Sequence, residues 1–328
     1  APAGEYLNVV ENSKGIELLS FLEFPIDGNV QLPTSTTWDG NTWSEGVPNS
    51  TVDVVIDGDY DDVASFESKK LKINNNSTLT IGSNSSVNTV TVHGSLSIQG
   101  DFNIGDRGSL VMTKNNANIS GVIKKQERST ARNDVHDFTY WSSSVEGAEI
   151  SEVFPGVNPN RIFYYDQSQS AATDPDDPSG TYWNVWQIAA QNEIMQIGWG
   201  YASEGVDDGR HSIEFVGTPN NGDIEVPLKG NFGDGNVDND FNLIGNPYPS
   251  AIDMDLFLLE NTSLIDDGTV ADGIYLWTHD TQVSGSGDFV STDYASYSLL
   301  GGVNPTGGPL PDKNLGSGQG FFVRAADD

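Results

Sequence analysis

Short apolar–polar–apolar triplets recur between residues 70 and 122, separated by turns rich in Asn, Ser and Gly. Successive triplets start about six to eleven residues apart, which is too close for helices and fits short strands joined by turns. Such regular spacing is typical of a β-solenoid, in which each coil stacks on the previous one. The six triplets are Leu71-Lys72-Ile73, Leu79-Thr80-Ile81, Val90-Thr91-Val92, Leu96-Ser97-Ile98, Phe102-Asn103-Ile104 and Leu110-Val111-Met112.

A tryptophan-containing stretch precedes these repeats and is predicted to close the solenoid. Trp38 and Trp43 flank a Gly turn, and Val54 and Ile56 then alternate with other residues as in a first strand. A terminal coil must be capped, because its apolar interior otherwise faces water. We therefore predict a β-solenoid over residues 37–125.

An apolar segment lies within the first 36 residues and ends at Pro25. It has no consistent polar face, so as a strand it must bury both of its sides. Two interpretations stand: a first core strand of its own chain, or an arm (1–36) that docks on another domain or subunit. The residues predicted to make such an assembly contact are Ile16, Leu18, Leu19, Phe21, Leu22 and Phe24.

Longer aromatic-rich strands are predicted in residues 126–328. Seven or more strands with Gly, Pro, Asn and Asp turns favour an antiparallel β-sandwich or jelly roll. One short helix is predicted near 251–260, where Ser250 and Asp253 resemble a capping box. The fold class is therefore all-β, a short solenoid followed by an antiparallel sandwich. The predicted strands are 138–141, 161–165, 182–186, 212–216, 224–228, 273–277 and 320–323.

Composition narrows the possible partners. The 15 basic residues against 47 acidic residues give a net charge of −32, which repels nucleic-acid phosphates and anionic lipid headgroups. Nucleic acid and membrane-surface partners are thus disfavoured, and cations are favoured. The basic stretch from Lys124 to Arg132 is expected to pair with carboxylates of the chain itself.

Other sequence features concern location. The chain has no Cys, which removes disulfides and thiolate chemistry, and no apolar run of about 18 residues that would span a membrane. The start, Ala1-Pro2-Ala3-Gly4, resembles a mature end left after removal of a signal peptide. We expect an extracellular or cell-surface protein.

No catalytic constellation is predicted. His93, His136, His211 and His279 have no metal-ligand spacing, and the 316–320 glycine segment lacks the strand-to-helix context of a phosphate-binding loop. The chain is therefore expected to be non-enzymatic, with no organic cofactor.

Two acidic segments are candidate calcium sites. Alternating oxygen-bearing side chains suit Ca²⁺, although the spacing in neither segment is that of an EF-hand. Each segment is read either as a solvated acidic turn or as a calcium site. The candidate ligands are Asp57, Asp59 and Asp61 in the first, and Asp234, Asn236, Asp238 and Asp240 in the second.

Exposed aromatic rings are candidates for stacking on sugar rings. The predicted set is Trp183, Trp186, Trp199 and Tyr201. Strand alternation places Trp183 and Trp186 on opposite faces, so at least one of them is expected in the core.

Several strings together resemble a recurrent β-rich region of large secreted Bacteroidota surface proteins, commonly substrates of the type IX secretion system. The resemblance spans about Trp38 to the C-terminus. It implies a protein that is exported and attached to the surface or released, often as part of a multidomain adhesin or a matrix protein. Such proteins usually continue into a further strand and a sorting domain, so we expect either a cleaved tail or a fragment. The strings are TTWDGNTWSEGVPNSTVDVVIDGDY (36–60), FTYWSSSV (138–145), VGTPNNGDIEVPL (216–228), FNLIGNPYPSAIDMDLFL (241–258), GIYLWTHD (273–280), DYASYSLLGG (293–302) and GSGQGFFVRA (316–325).

The sequence thus predicts a structural or adhesive surface protein that assembles with copies of itself or with other surface proteins. Filament formation by strand exchange is one form that this assembly could take. The alternative is a carbohydrate-binding module of a secreted polysaccharide-degrading system, with polysaccharide as its partner.

Overall fold

The structure is a computed structural model. It describes residues 33–83, 86–131, 134–169, 185–206, 209–230, 240–265, 273–281 and 291–326, and the backbone alone of residues 9–12 and 15–18. Residues 1–34 and 35–328 form two separate units. In the first unit, β1 (Val9–Asn12) pairs antiparallel with β2 (Gly15–Leu18), with Val9 opposite Leu18.

The second unit begins with the predicted β-solenoid, which has about four turns. Its strands form three parallel faces: β3-β4-β7-β10-β13, β5-β8-β11-β14 and β6-β9-β12. All six sequence triplets are strands of these faces, which confirms the solenoid. The strands are β3 (Ser35–Trp38), β4 (Asp53–Ile56), β5 (Tyr60–Asp61), β6 (Phe66–Ser68), β7 (Lys70–Ile73), β8 (Thr78–Ile81), β9 (Asn88–Val92), β10 (Leu96–Ile98), β11 (Asp101–Ile104), β12 (Gly108–Met112), β13 (Ile119–Ser120) and β14 (Ile123–Arg128).

Like residues stack along the solenoid axis. Leu71 lies opposite both Val54 and Leu96, and all three are buried. Each inward position therefore buries the equivalent position of the next coil, about 4.8 Å away. This stacking explains why a triplet of only three residues suffices for a strand.

Four aromatic rings gather in the first coil. Trp43 and Tyr60 each contact the other three of the rings Trp38, Trp43, Tyr60 and Phe66, with centroid distances of 4.9–5.7 Å. The Trp38 Nε1 donates a hydrogen bond to the Asp59 carbonyl at 2.9 Å, so the one polar atom of this ring is satisfied. These rings occupy the place where the sequence predicts the solenoid cap.

The remaining strands are antiparallel. Sheet A has the order β15-β19-β17-β18, sheet B has the order β21-β27-β23-β24-β25, and β22 pairs with β26. Short 3-10 turns include Pro159–Arg161, Gln167–Gln169 and Ser291–Asp293. The elements are β15 (Thr139–Trp141), β16 (Val145–Glu146), α1 (Ile150–Val153), β17 (Ile162–Tyr165), β18 (Trp186–Ile188), β19 (Tyr201–Ser203), β20 (Ser212–Pro219), β21 (Phe241–Gly245), β22 (Ile252–Asp253), α2 (Met254–Glu260), β23 (Ile274–Trp277), β24 (Tyr294–Ser298), β25 (Gly301–Val303), β26 (Asn314–Leu315) and β27 (Gly320–Arg324).

Strand alternation divides the core of this region into layers. Tyr140 of sheet A and Phe322 of sheet B belong to an aromatic layer between the sheets, with ring centroids 5.6 Å apart. Phe321, on the opposite side of its strand, packs against Phe257 of α2 at 5.6 Å. The outer side of sheet A, which includes Trp141, joins the solenoid core.

Hydrogen-bonded strands connect the solenoid to the antiparallel strands that follow it. β14 pairs in parallel with β11 of the solenoid and antiparallel with β20, which in turn pairs with β16. The predicted boundary between residues 125 and 126 falls inside β14. The division into domains 37–125 and 126–328 stays a prediction.

Two local predictions were wrong. Residues 224–228 form no strand; Pro227 has no N–H to donate, and the neighbouring Lys229 bonds the Asn242 side chain through both its N–H and its carbonyl. The second helix begins at Met254, and Asp253 rather than Ser250 is its N-cap. The reason is that Ile252 and Asp253 first pair with β26.

Candidate functional site

A concave site on the outer side of sheet A is lined by three aromatic rings and three polar side chains. We call it the aromatic pocket, and its volume is about 180 Å³. Its lining residues are Tyr164, Asp166, Glu193, Gln196, Trp199 and Tyr201.

Strand pairing brings two of the rings together. Tyr164 of β17 lies directly opposite Tyr201 of β19, and both point away from the aromatic layer. Trp199 precedes β19 by two residues and is held by a backbone bridge to Ile244. A left-handed Gly198, with φ of +78°, makes the turn that presents this ring.

The Tyr201 hydroxyl lies at the base of the pocket. It accepts a hydrogen bond from the Gln196 backbone N–H at 2.9 Å, and its side chain is buried. Burial raises the pKa of Tyr201 to about 12, so the hydroxyl stays protonated at physiological pH and can donate a hydrogen bond.

The Asp166 carboxylate is neutralised locally. Lys229 Nζ lies 3.1 Å from its Oδ1, which also accepts hydrogen bonds from the Ser168 N–H and hydroxyl. Burial opposes ionisation, but these donors outweigh it and lower the pKa of Asp166 to about 2. Asp166 is therefore ionised in any ordinary buffer.

The Glu193 carboxylate is held differently. Its Oε2 accepts the Ala190 backbone N–H at 3.3 Å, within a turn in which Glu193 N–H donates to the Ala190 carbonyl. Within the described residues, Glu193 forms no ion pair and its Oε1 accepts no hydrogen bond. The pocket thus has one compensated and one uncompensated carboxylate.

A second, larger cleft lies at the junction between the solenoid and the sandwich. This junction cleft has a volume of about 350 Å³ and lies between the 106–109 turn, β14 and the 316–320 loop. At its floor, Lys125 Nζ lies 3.0 Å from Glu127 Oε1, and only 1% and 7% of these residues are exposed. Burial raises the pKa of Glu127, and the Lys125 charge partly offsets this rise.

The ion pairs of β14 confirm the internal role predicted for the part of the basic stretch that lies in this strand, while Arg132 lies outside the described residues. Lys124 pairs with Asp101 at 3.0 Å, and Arg128 pairs with Asp106 at 2.6 Å. Lys125 also donates to the Gly105 carbonyl at 3.0 Å. These contacts tie the last coil to the coil before it.

The predicted sugar-binding residues have separate locations. Trp199 and Tyr201 lie together in the aromatic pocket. Trp186 lies in the aromatic layer, where its ring centroid is 5.1 Å from that of Tyr165 and 6.0 Å from that of Phe322. Trp183 lies outside the described residues. Tyr164 was missed, because sequence gives no register between β17 and β19.

The predicted calcium ligands of the first acidic segment lie at turns of the solenoid. Asp57 Oδ1 accepts a hydrogen bond from Asn74 at 2.7 Å, Asp59 Oδ1 accepts the Thr78 N–H at 3.0 Å, and Asp61 is exposed. Among the described residues, no group of three or more Asp, Glu or His side chains is arranged to hold a metal ion. Calcium binding stays a prediction.

The second acidic segment and the arm are described only in part. Asp234, Asn236 and Asp238 lie outside the described residues, while Asp240 is buried. Of the assembly residues, Ile16 and Leu18 belong to β2. The other four, Leu19, Phe21, Leu22 and Phe24, lie outside the described residues.

The fold and its sites define a class of protein, a β-solenoid continued by an antiparallel β-sandwich. The model of a family described as a domain of unknown function (DUF8693) matches residues 31–328, and the chain belongs to this family. No curated protein and no solved structure matches the chain significantly. Within the described residues, no helix has the length and apolar character to cross a membrane.

Proposed function

We propose that this chain is a non-enzymatic adhesive module of an exported cell-surface protein, and that it adheres by binding saccharide in the aromatic pocket. The observation that carries the proposal is the grouping of Tyr164, Trp199 and Tyr201 around polar side chains. Aromatic faces stack on the apolar faces of sugar rings, while amides, carboxylates and hydroxyls bond the ring hydroxyls.

The pocket has the size and chemistry of a small-ligand site. Its volume of about 180 Å³ suits a single sugar unit of a longer glycan, because the pocket is open to solvent on one side. Gln196 is exposed at its rim and Tyr201 provides a hydroxyl at its base. This combination favours the saccharide alternative as the means of adhesion.

The remainder of the molecule supports a scaffolding role. One hydrogen-bonded sheet, β16-β20-β14-β11-β8-β5, runs from the sandwich through a face of the solenoid. The side of sheet A that carries the pocket packs on the solenoid core, which fixes the pocket relative to the coils. The net charge of −32 and the absence of Cys suit an exported protein, as does the resemblance to secreted surface proteins.

The test is glycan binding by the full chain. A glycan array identifies ligands, and calorimetry compares the wild type with Tyr164→Ala and Trp199→Phe. Because each ring contributes about 1 kcal/mol of stacking, we expect Tyr164→Ala to weaken binding roughly fivefold. Incubation with the bound glycan should release no shorter products by mass spectrometry.

The matched control is Ile188→Ala. Ile188 is an exposed apolar residue on β18 of the same sheet but lies outside the pocket. Its truncation should leave the dissociation constant unchanged. Equal losses in Ile188→Ala and Tyr164→Ala, or the absence of any glycan ligand, would refute the pocket as the adhesive site.

A further inference from the structure

Charge distinguishes the aromatic pocket from a neutral sugar site. Asp166 is paired with Lys229, but Glu193 has no cationic partner within the described residues. Two formal negative charges, of Asp166 and Glu193, thus face one formal positive charge, that of Lys229.

The Glu193 charge acts on two of the three rings. Burial is the largest cause of the raised pKa of both Tyr164 and Tyr201, and the Glu193 carboxylate raises both further. One carboxylate therefore lies within electrostatic range of two ring hydroxyls. A cation beside these rings would face both a carboxylate and aromatic π-surfaces, which attract it together.

The chain as a whole is strongly acidic, with 47 acidic against 15 basic residues. The long-range field of the chain is also negative. An acidic sugar is thus repelled, and a positively charged one is attracted.

We infer that the aromatic pocket selects a sugar that carries an ammonium group, namely a hexosamine or a hexosamine unit of a polysaccharide, over neutral and acidic sugars. This inference rests on the proposed saccharide-binding function. Glu193 pairs with the ammonium group, the half-buried rings of Tyr164 and Trp199 stack on the sugar, and Gln196 and the Tyr201 hydroxyl bond its hydroxyls.

The experiment compares four ligands with the full chain by calorimetry or by NMR titration at about pH 6, where the amine is protonated. The ligands are glucosamine, methyl glucoside, glucuronate and tetramethylammonium. A partly exposed ion pair together with a cation–π contact should make glucosamine bind roughly tenfold more tightly than methyl glucoside. Adding about 1 M NaCl should remove most of this difference and leave methyl glucoside binding unchanged.

The decisive variant is Glu193→Gln. The amide oxygen of Gln can still accept the Ala190 N–H, so the turn is expected to keep its conformation. Glucosamine should lose its advantage of roughly tenfold in this variant, whereas methyl glucoside should bind as before. The control is Glu152→Gln, which removes the same charge from an exposed position of α1 outside the pocket and should change neither affinity.

Each contrary result has a separate meaning. If methyl glucoside binds as tightly as glucosamine, the inference fails and the proposed function survives. If tetramethylammonium binds as tightly as glucosamine, the pocket recognises a cation rather than a hexosamine, and the inference fails. If no sugar binds, the proposed function fails together with the inference.

Discussion

The Lys125–Glu127 pair allows a quantitative test of how the solenoid joins the sandwich. Both residues are almost fully buried, and Lys125 Nζ also donates to the carbonyls of Gly105 and Gln126 at 3.0 Å. Removing one partner leaves a charge without compensation in a medium of low polarity, which costs about 3–5 kcal/mol. We therefore expect Lys125→Met to lower the free energy of unfolding by about this amount.

The effect on the melting temperature follows from the size of the chain. For a chain of this length, a loss of about 1 kcal/mol in the free energy of unfolding lowers the melting temperature by about 2 °C. Lys125→Met should therefore melt roughly 6–10 °C below the wild type at about pH 7. Glu127→Gln should show a similar loss, since it leaves Lys125 unpaired. The double variant removes both charges and should recover most of the loss.

The pH dependence of the stability loss in Lys125→Met gives a second, independent test. Burial raises the pKa of Glu127 in the folded state above its ordinary value of 4.5. Ionisation of Glu127 therefore disfavours folding. The stability that the protonated carboxyl group contributes is present at low pH and is lost as the pH rises through the pKa of the folded state. Without Lys125 this pKa rises further, so the deficit of Lys125→Met should shrink as the pH falls from about 7 towards about 5.

The wild type, the two single variants and the double variant form a double-mutant cycle, and thermal and urea unfolding measure the stability of each. The coupling energy should exceed about 2 kcal/mol. Additive single losses, single losses below about 1 kcal/mol, or a Lys125→Met deficit that is independent of pH would refute a buried, coupled pair.

Three further predictions concern other parts of the molecule. A Cβ at Gly82, which has φ of +65°, would lie 1.9 Å from Gly108 N of the next coil, so Gly82→Ala should lower the free energy of unfolding by more than about 3 kcal/mol. The control Gly147→Ala, also at positive φ but in open space, should lower it by about 1 kcal/mol, and thermal unfolding measures both. If calcium binds the 57–61 turn, calcium at about 100 times its dissociation constant should raise the melting temperature by roughly 5 °C over excess chelator, and an unchanged curve would exclude the site. If the arm exchanges between subunits, deleting residues 1–26 should give a folded monomer that no longer assembles in light scattering, whereas a full-length protein that stays monomeric at high concentration excludes exchange.

The solenoid could be predicted from sequence because its strands depend on local information. An inward residue such as Leu71 or Leu96 meets an equivalent residue one coil away, so every triplet repeats the same pattern. Turn residues repeat for the same reason, and Asn76 takes the left-handed conformation, with φ of 63°, that Asn tolerates in turns. The number of strands per coil was not predictable, because triplets on different faces look alike.

The start of α2 illustrates how tertiary pairing overrides a local signal. Ser250 followed by Asp253 resembles a capping box, but β26 pairs with Ile252 and Asp253 and delays the helix. Asp253 then accepts the N–H groups of Asp255 and Leu256, which makes it the cap. The pairing partner is about 60 residues away in sequence, beyond the reach of any local pattern.

The aromatic pocket shows the same limit for function. Trp199 and Tyr201 were predicted as candidates because they are aromatic residues close together in sequence, but their partners in the pocket were not predicted. Tyr164 joins them only through the register of β17 against β19, and Glu193 only through the turn that follows β18. A ligand site made of strands far apart in the chain therefore depends on the fold. Its selectivity depends on which of its two carboxylates is already paired with a basic side chain. Asp166 is paired with Lys229, a residue just after a segment for which the sequence predicted only a strand, so the charge of the pocket could not be predicted from sequence either.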